Sequence, residues 1–529
     1  MAEVSRSPVP LRRPAAGQGR VLAVVLLVAL AIAVLPPLLA ASALIAAVVF
    51  CIAVARPALG LALLALAVPF GSLVEVRTGD LPAGPTEALA GLVVAGWLAA
   101  VLTRRADRVS LGPLIWPMLA FLGAGVLSAS FAESPPTAAK ELLRWAELLL
   151  VYVAATNLLR ERGSLRLAVW AVLAAGASEA LLGAVQFFTR IGPPSFQIGP
   201  FLRAYGTFGQ PNPYAGYLGM ILPLAAALGV CWRPGRRDWL WRASWLAVAL
   251  LGAAVAMSLS RGAWMGLALA GVVVAVLASR RVAALVAGGA GVGTVVVVLG
   301  AFNLLPALVA QRIGSAVAYF RVFDARGVYP FPEIWAIVER MAHWQAAWEM
   351  LVDHPLVGVG PGHYVVAYPE YAILPYWKDP LGHAHNVYLN VGAEMGLIGL
   401  AAYLAMLASW LWVGLVVVRR LGRAEPGGLR RALAVGVVAS LAAAAVHNVF
   451  DNLYVHGMNV HVGLLLGVLG AVGWGLADPP PGSPSPPGKG EQAMERRAPT
   501  SPAEEGGRGQ GLSSPQHPAP SPEGSRCRS

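Results

Sequence analysis

Residues 242–281 read RASWLAVALLGAAVAMSLSRGAWMGLALAGVVVAVLASRR. Two apolar runs, 243–259 and 262–279, meet at Ser260-Arg261-Gly262, and arginines close both far ends. A helix needs about 20 apolar residues to cross a bilayer core, with a range of roughly 17–25. The stretch therefore predicts a helical hairpin that crosses a membrane twice. Lysine and arginine collect on the cytoplasmic side of short loops. That rule places Arg242, Arg280 and Arg281 inside and Arg261 at the opposite face.

The same pattern extends in both directions. Further apolar runs cover 21–55, broken by Pro36-Pro37, then 58–72, 86–103, 112–131, 139–158, 165–188 and 211–232. After the hairpin come 282–303, 386–418, 432–447 and 458–477. Depending on how the first run is divided, the chain has about 12–14 spans. Arginine clusters recur at every second gap, at 104–108, 160–166, 233–242, 280–281 and 419–431, which puts both termini inside. Of the 529 residues 57% are apolar and 12% charged, against about 25% charged in soluble proteins. The expected fold is an all-α polytopic transmembrane bundle with one large ordered extracytoplasmic loop. Its parts are a cytoplasmic tail (1–20), a first set of spans (21–303), the loop (304–384), C-terminal spans (385–477) and a disordered cytoplasmic tail (478–529) rich in Pro, Ser and Gly. The net charge of +12 is dispersed over the inner loops, not gathered on one face, which argues against a nucleic-acid partner. The N-terminal run reads as an uncleaved anchor and not a signal peptide, because apolar sequence continues past Ala41-Ser42-Ala43. None of Cys51, Cys231 and Cys527 falls on the outer side, so no disulfide framework is expected.

Unusual residues gather in the gaps facing away from the cytoplasm. Residues 189–210 carry Arg203 in RAYGTFGQPNPY. The 304–384 loop far exceeds ordinary connections of about 4–6 residues, and its Trp and Tyr content predicts order. Within it, 333–352 reads as a helix with Ile337, Met341, Trp344, Trp348 and Leu351 on one face. Such a face suits a helix lying in the membrane interface, with Arg340 at its edge. Arg261 stands at membrane depth, where an arginine costs about 2.5–3.5 kcal/mol and usually has a partner or a task. The alternative for both arginines is anchoring to lipid phosphates. His385 closes the loop in Gly382-His383-Ala384-His385-Asn386 and could accept a proton from a hydroxyl, or simply cap a helix. His383 and His385 also raise the question of a metal, but nearby acidic ligands are thin, and neither a metal nor another cofactor is expected. Asp451, in His447-Asn448-Val-Phe-Asp451-Asn452, could pair with an arginine or orient a histidine. Glu179 lies within a span and reads as a structural hydrogen-bonding group. Arginines and a histidine at one membrane face suit a lipid diphosphate. Guanidinium groups grip phosphate oxygens and keep their charge, and a departing diphosphate carries off an electron pair that they can stabilise.

Several stretches resemble the O-antigen ligase and polymerase superfamily of bacterial envelope glycosyltransferases. RAYGTFGQPNPYAGYL (203–218) is similar to its Arg-x-x-Gly-Thr-Phe-x-x-Pro-Asn segment, SRGAW (260–264) to its Ser-Arg-Gly turn, and RMAHWQAAWEMLVDHPLVGVGPGHY (340–364) to the block in its large loop. HNVYLNVGAEMGLIG, from His385, resembles the ligase pattern ending in Gly396 and Gly399. The resemblance implies a GT-C-like bundle in the bacterial cytoplasmic membrane, its active site facing the periplasm. It implies a glycan donor on undecaprenyl diphosphate, an acceptor that is a glycan or lipid-linked sugar, and transfer without a metal, inverting the anomeric carbon. Arg261 and Arg340 would bind the diphosphate and His385 would be the base. Arg203, Asn212, His383, Asn386 and Asp451 are candidate substrate-binding residues. The acceptor could be lipid A-core sugar, another glycan repeat, as in a polymerase, or a protein hydroxyl. The spacing to Gly396 and Gly399 favours the ligase type. The rival class is a solute transporter, for example of bicarbonate; against it, no internal repeat is visible and the polar residues gather at one face, not at mid-membrane.

Overall fold

The computed structural model describes residues 37–476, apart from 74–75, 79–80, 104–108, 199, 235–237, 330, 332–333, 379, scattered positions within 280–300 and all of 301–321. The tails 1–20 and 478–529, the start of the first expected span and most of the 282–303 span lie outside the described residues.

The described helices are α1 (Pro37–Ala55), α2 (Pro57–Ala67), α3 (Pro85–Leu102), α4 (Ile115–Ala129), α5 (Pro135–Leu158), α6 (Arg162–Thr189), α7 (Pro211–Cys231), α8 (Trp239–Ser258) and α9 (Arg261–Ala278). Beyond the long loop's α10 (Trp335–Asp353) and α11 (Tyr364–Tyr371) come α12 (Val387–Ala424), α13 (Leu429–His447) and α14 (Met458–Gly473). Strand structure among the described residues is confined to two small antiparallel hairpins, β1 (Val76–Thr78) with β2 (Leu81–Ala83) and β3 (Gln197–Ile198) with β4 (Phe201–Leu202). Helices α2, α3, α5 and α7 carry proline in their first turn, where a missing N–H costs no hydrogen bond. Seven helices (α3, α6, α7, α8, α9, α12 and α13) are long and apolar enough to cross a bilayer. Shorter apolar helices cover Leu44–Ala55, Pro57–Gly71, Ile115–Ala129 and Met458–Gly473. The protein is thus an all-α polytopic membrane protein. Helix α5 departs from the plain span expected at 139–158, because residues 140–147 include Lys140, Glu141, Arg144 and Glu147.

Two almost wholly buried helices, α7 and α13, form the centre. Small residues let the backbones approach, as membrane helices require in the absence of a hydrophobic drive between them. A Cβ at Gly436 would stand 2.8 Å from the Leu224 Cα, and one at Gly266 would stand 2.5 Å from the Ala443 carbonyl oxygen. Helix α9 therefore lies directly on α13, and α13 on α7.

Helix α12 corrects the expectation of one continuous span from 386 to 418. Gly396 has φ 64° and ψ −166°, a conformation open essentially to glycine alone, and the helix breaks there. Broken backbone at membrane depth must find new partners. The glycine-rich block of the loop supplies them. Val359 N donates to Ala393 O and Gly360 N to Glu394 O, while Leu397 N and Ile398 N donate to Pro355 O and Leu356 O. The Ser128 hydroxyl adds bonds to Val357 O and Glu394 O. The block ending in His-Pro-Leu-Val-Gly-Val-Gly is a clasp around the break, and the segment 387–395 is held as a separate half-helix.

The loop is ordered where described, and α10 forms close to the expected limits. Its buried face is in part the expected one, since Met341 and Leu351 are buried. Ala342, His343, Ala346, Ala347 and Met350 are buried, whereas Trp348, expected on the apolar face, is 56% exposed. Small alanines, not the large aromatics, allow α10 to seat against other protein, with Ala346, Ala347 and Met350 clustering with Tyr364, Tyr368 and Ala393.

Candidate active site

The segment 203–212 owes its path to two polar side chains of α6. Glu179 accepts from Thr207 N at 3.0 Å and from its hydroxyl at 2.8 Å. The Gln186 amide donates to Gly206 O and accepts from Gly206 N and Tyr205 N. Glu179 is therefore the structural group expected. The clamp fixes Arg203, whose Nε donates to Ser258 O at 2.7 Å and whose guanidinium donates to Asn212 Oδ1 at 2.8 Å.

The turn between α8 and α9 is as abrupt as the sequence implied. Leu259 takes a left-handed φ of 53°, and Arg261 is the first residue of α9. Gly262 is needed because a Cβ there would lie 3.0 Å from His447 Cδ2. Arg261 thus stands at a helix N-terminus, whose free N–H groups and dipole favour an anion. Arg340 reaches the same place from α10.

Arg203, Asn212, Arg261 and Arg340 line one cavity of about 410 Å³, together with Ser260, Trp344, His447 and Phe450. Three guanidinium groups face this space, and no carboxylate is among its lining residues. The Arg340 Nε is buried with no hydrogen-bond partner among the described residues, a donor that an acceptor would satisfy. Burial pushes Arg203 down to about 10, with Arg340 and Arg261 adding to it, so it remains a cation at neutral pH.

His385 is not among the lining residues but adjoins them. Trp344, which does line the cavity, donates its Nε1 to the His385 carbonyl at 3.3 Å. The His385 backbone is left-handed, with φ 51°, and such strain in a non-glycine residue persists only where surrounding structure enforces it. Its Nδ1 lies 3.4 Å from Asp451 Oδ1. An ionised carboxylate only accepts, so Nδ1 carries the proton and Nε2 keeps its lone pair. That Nε2 is buried and has no hydrogen-bond partner among the described residues. Burial pushes the Asp451 carboxyl up, but the His385 hydrogen bond and the surrounding histidines outweigh it and hold the group well below the usual carboxylate range.

His383 lies beside this pair, its Nε2 3.8 Å from Asp451 Oδ1 and its Nδ1 accepting from His385 N. Burial, then His385, pushes His383 down to about 4, and burial, then His385 and His383, pushes His343 down to about 3. Asn386 caps α12, its Oδ1 accepting from Leu389 N at 3.0 Å. Asp451 supplies the acidic partner that the sequence around His383 and His385 lacked. The donor atoms of His383, His385 and Asp451 lie within 4.8 Å of one another, a spacing that could hold a metal ion. As the side chains stand, His385 Nδ1 and Asp451 Oδ1 are hydrogen-bonded to each other. His447, one wall of the arginine cavity, was not singled out from sequence; its position in His447-Asn448 marked only a helix end.

Residues 246–404 match the family model for O-antigen ligase. The match spans α9, α10, the clasp and the break in α12. No curated protein matches the chain. A chain from a solved structure described as "Structural coordination of polymerization and crosslinking by a peptidoglycan synthase complex" aligns at 16% identity over 67% of this chain and 96% of its own, with a TM-score of 0.34. At that score the likeness carries no argument.

Proposed function

We propose that the chain, whose residues 246–404 match the family model for O-antigen ligase, acts as a member of that superfamily and transfers a glycan from undecaprenyl diphosphate to an acceptor hydroxyl at the outer face of the bacterial cytoplasmic membrane. The carrying observation is the cavity with Arg203, Arg261 and Arg340 and no carboxylate, adjoining an Asp451-oriented His385. The diphosphate sits among the guanidinium groups at the N-terminus of α9. The acceptor oxygen attacks the anomeric carbon from the face opposite the diphosphate. The sugar–phosphate C–O bond breaks, its electron pair leaves with the diphosphate, and the arginines stabilise the growing charge. The hydroxyl proton passes to His385 Nε2, and Asp451 stabilises the imidazolium so formed. General-base assistance of this kind is typically worth about 10²–10⁴-fold. The anomeric carbon inverts. Lipid A-core or another cell-surface glycan is the acceptor class favoured by the Gly396 and Gly399 spacing.

The test is glycan transfer from purified undecaprenyl-diphosphate donor by wild type, Arg261→Ala and His385→Ala. Both variants should fold and lose turnover; unchanged turnover in both removes the site assignment. In the same assay a chelator should leave the rate unaltered. Loss of activity with chelator, restored by added metal, would reassign His383, His385 and Asp451 as metal ligands.

A further inference from the structure

A second cavity, of about 580 Å³, opens between α3, α5 and residues 454–459, within the roughly 300–1,000 Å³ range of ligand sites. Its chemistry is unlike that of the arginine cavity. Glu87 and Glu147 stand at its polar end with Lys140 and Arg144, so the cations are matched by carboxylates. Glu147 accepts from Asn459 Nδ2 at 2.9 Å, and Arg144 pairs with Glu141 at 3.1 Å. Leu143 lies between Lys140 and Arg144, and Val94, Leu98 and Leu150 line the rest. Leu98 lies about 16 Å along α3 from Glu87 at 1.5 Å per residue, roughly half the thickness of a bilayer core. Along α3 the site is thus polar where the helix begins and aliphatic further in.

One segment joins the two cavities. His447 and Phe450 line the arginine cavity, Asp451 holds His385, and Tyr454, His456 and Gly457 line the second cavity. The histidine pair therefore stands beside a segment with a cavity at either end. His456 itself has a left-handed φ of 51°, and its ring meets Phe208, from the clamped 203–212 segment, at 6.4 Å.

We propose that the second cavity seats the acceptor, a glycolipid whose saccharide lies among Glu87, Lys140, Arg144 and Glu147 and whose lipid anchor runs along the leucines. The proposal rests on the transfer reading above and adds the acceptor's site and amphiphilic class. Mixed donors and acceptors suit hydroxyl groups, and the balanced charges offer no surplus of cations for a diphosphate. The two substrates are thereby sorted by the surplus of cations in one cavity and its absence in the other.

Gly91 lines this cavity, and a Cβ there would meet nothing within 4 Å. Gly91→Trp thus starts from an open Cβ position and puts bulk at the cavity wall, and Gly91→Ala is the size control. Binding is read by native mass spectrometry with two probes, undecaprenyl diphosphate and lipid A carrying a core oligosaccharide. Gly91→Trp should lower occupancy by the glycolipid at least tenfold and leave undecaprenyl diphosphate bound. Arg261→Ala should do the reverse, and Gly91→Ala should match wild type. Unchanged glycolipid occupancy in Gly91→Trp, or equal loss of both probes, overturns the proposal. So does displacement of the glycolipid by an equal concentration of phospholipid, which would make this a structural lipid site. Because binding is measured without turnover, an absence of transfer by wild type would count against the transfer reading alone.

Discussion

Asp451→Asn is the most informative single change at this site. The side chain is buried, and its Oδ1 lies 3.4 Å from His385 Nδ1. At that separation and an effective dielectric of about 20, a carboxylate attracts an imidazolium by about 5 kcal/mol. The substitution keeps the shape and leaves an oxygen that can still accept from Asn452 N, as Asp451 does at 2.8 Å. It removes the attraction that grows as His385 takes the acceptor proton. If half is recovered through a neutral hydrogen bond, the loss is about 2.5 kcal/mol, or roughly 70-fold in rate; if none is, roughly 5,000-fold. The assay is initial-rate transfer of labelled glycan from undecaprenyl diphosphate at neutral pH in detergent, with thermal melting as the check on folding. A folded Asp451→Asn protein within threefold of wild type, alongside inactive His385→Ala, would refute the role given to the carboxylate.

Arg340→Lys keeps the charge but loses the planar fork, so donor KM should rise about tenfold with a smaller change in kcat; an equal KM would separate Arg340 from the diphosphate. Gly396→Ala forces a Cβ against the Leu356 carbonyl at a φ and ψ that side chains avoid, and should cost at least about 3 kcal/mol, read as a lowered melting temperature. Melting as wild type would mean that the helix break is not enforced. Stability should also fall with acidification. His383 and His343 are held neutral in the fold, at about 4 and about 3, so the unfolded chain binds more protons below an ordinary histidine value of about 6.5. Their contribution is complete above about 6.5 and is lost as pH falls, down to about 4 for His383 and about 3 for His343. His383→Gln should flatten that decline in a pH series of melting curves, and an unchanged slope would count against the buried neutral imidazole.

The hairpin at 242–281 was legible because apolar length and arginine placement are local signals, and the same holds for Arg261 at its outer turn. The order of the long loop was legible from its aromatic content. The partnership of His385 with Asp451 was not, because the two are far apart in sequence and nothing local to either specifies the other. His447 was hidden for a related reason: it reads as a helix-end residue until Gly262 brings α9 against it. The break in α12 escaped notice because an apolar run looks the same whether or not one glycine inside it leaves the helical region. Only the bonds from residues 355–360 reveal what Gly396 is for. On α10 Met341 and Leu351 follow the hydrophobic periodicity and Trp348 does not, because periodicity weights tryptophan over alanine whereas close packing here selects the smaller side chain.

The clasp around Gly396 has a mechanical consequence. The short half-helix from Val387 to Met395 is anchored at one end by the Asn386 cap and at the other by the loop backbone, so it acts as a spacer of fixed length and fixed rotation. One residue inserted between Asn386 and Gly396 would turn His385 by about 100° and lift it by about 1.5 Å relative to the clasp. The imidazole would then no longer meet Asp451, even with every functional side chain still present. In this protein the count of residues between histidine and glycine gauges where the imidazole sits.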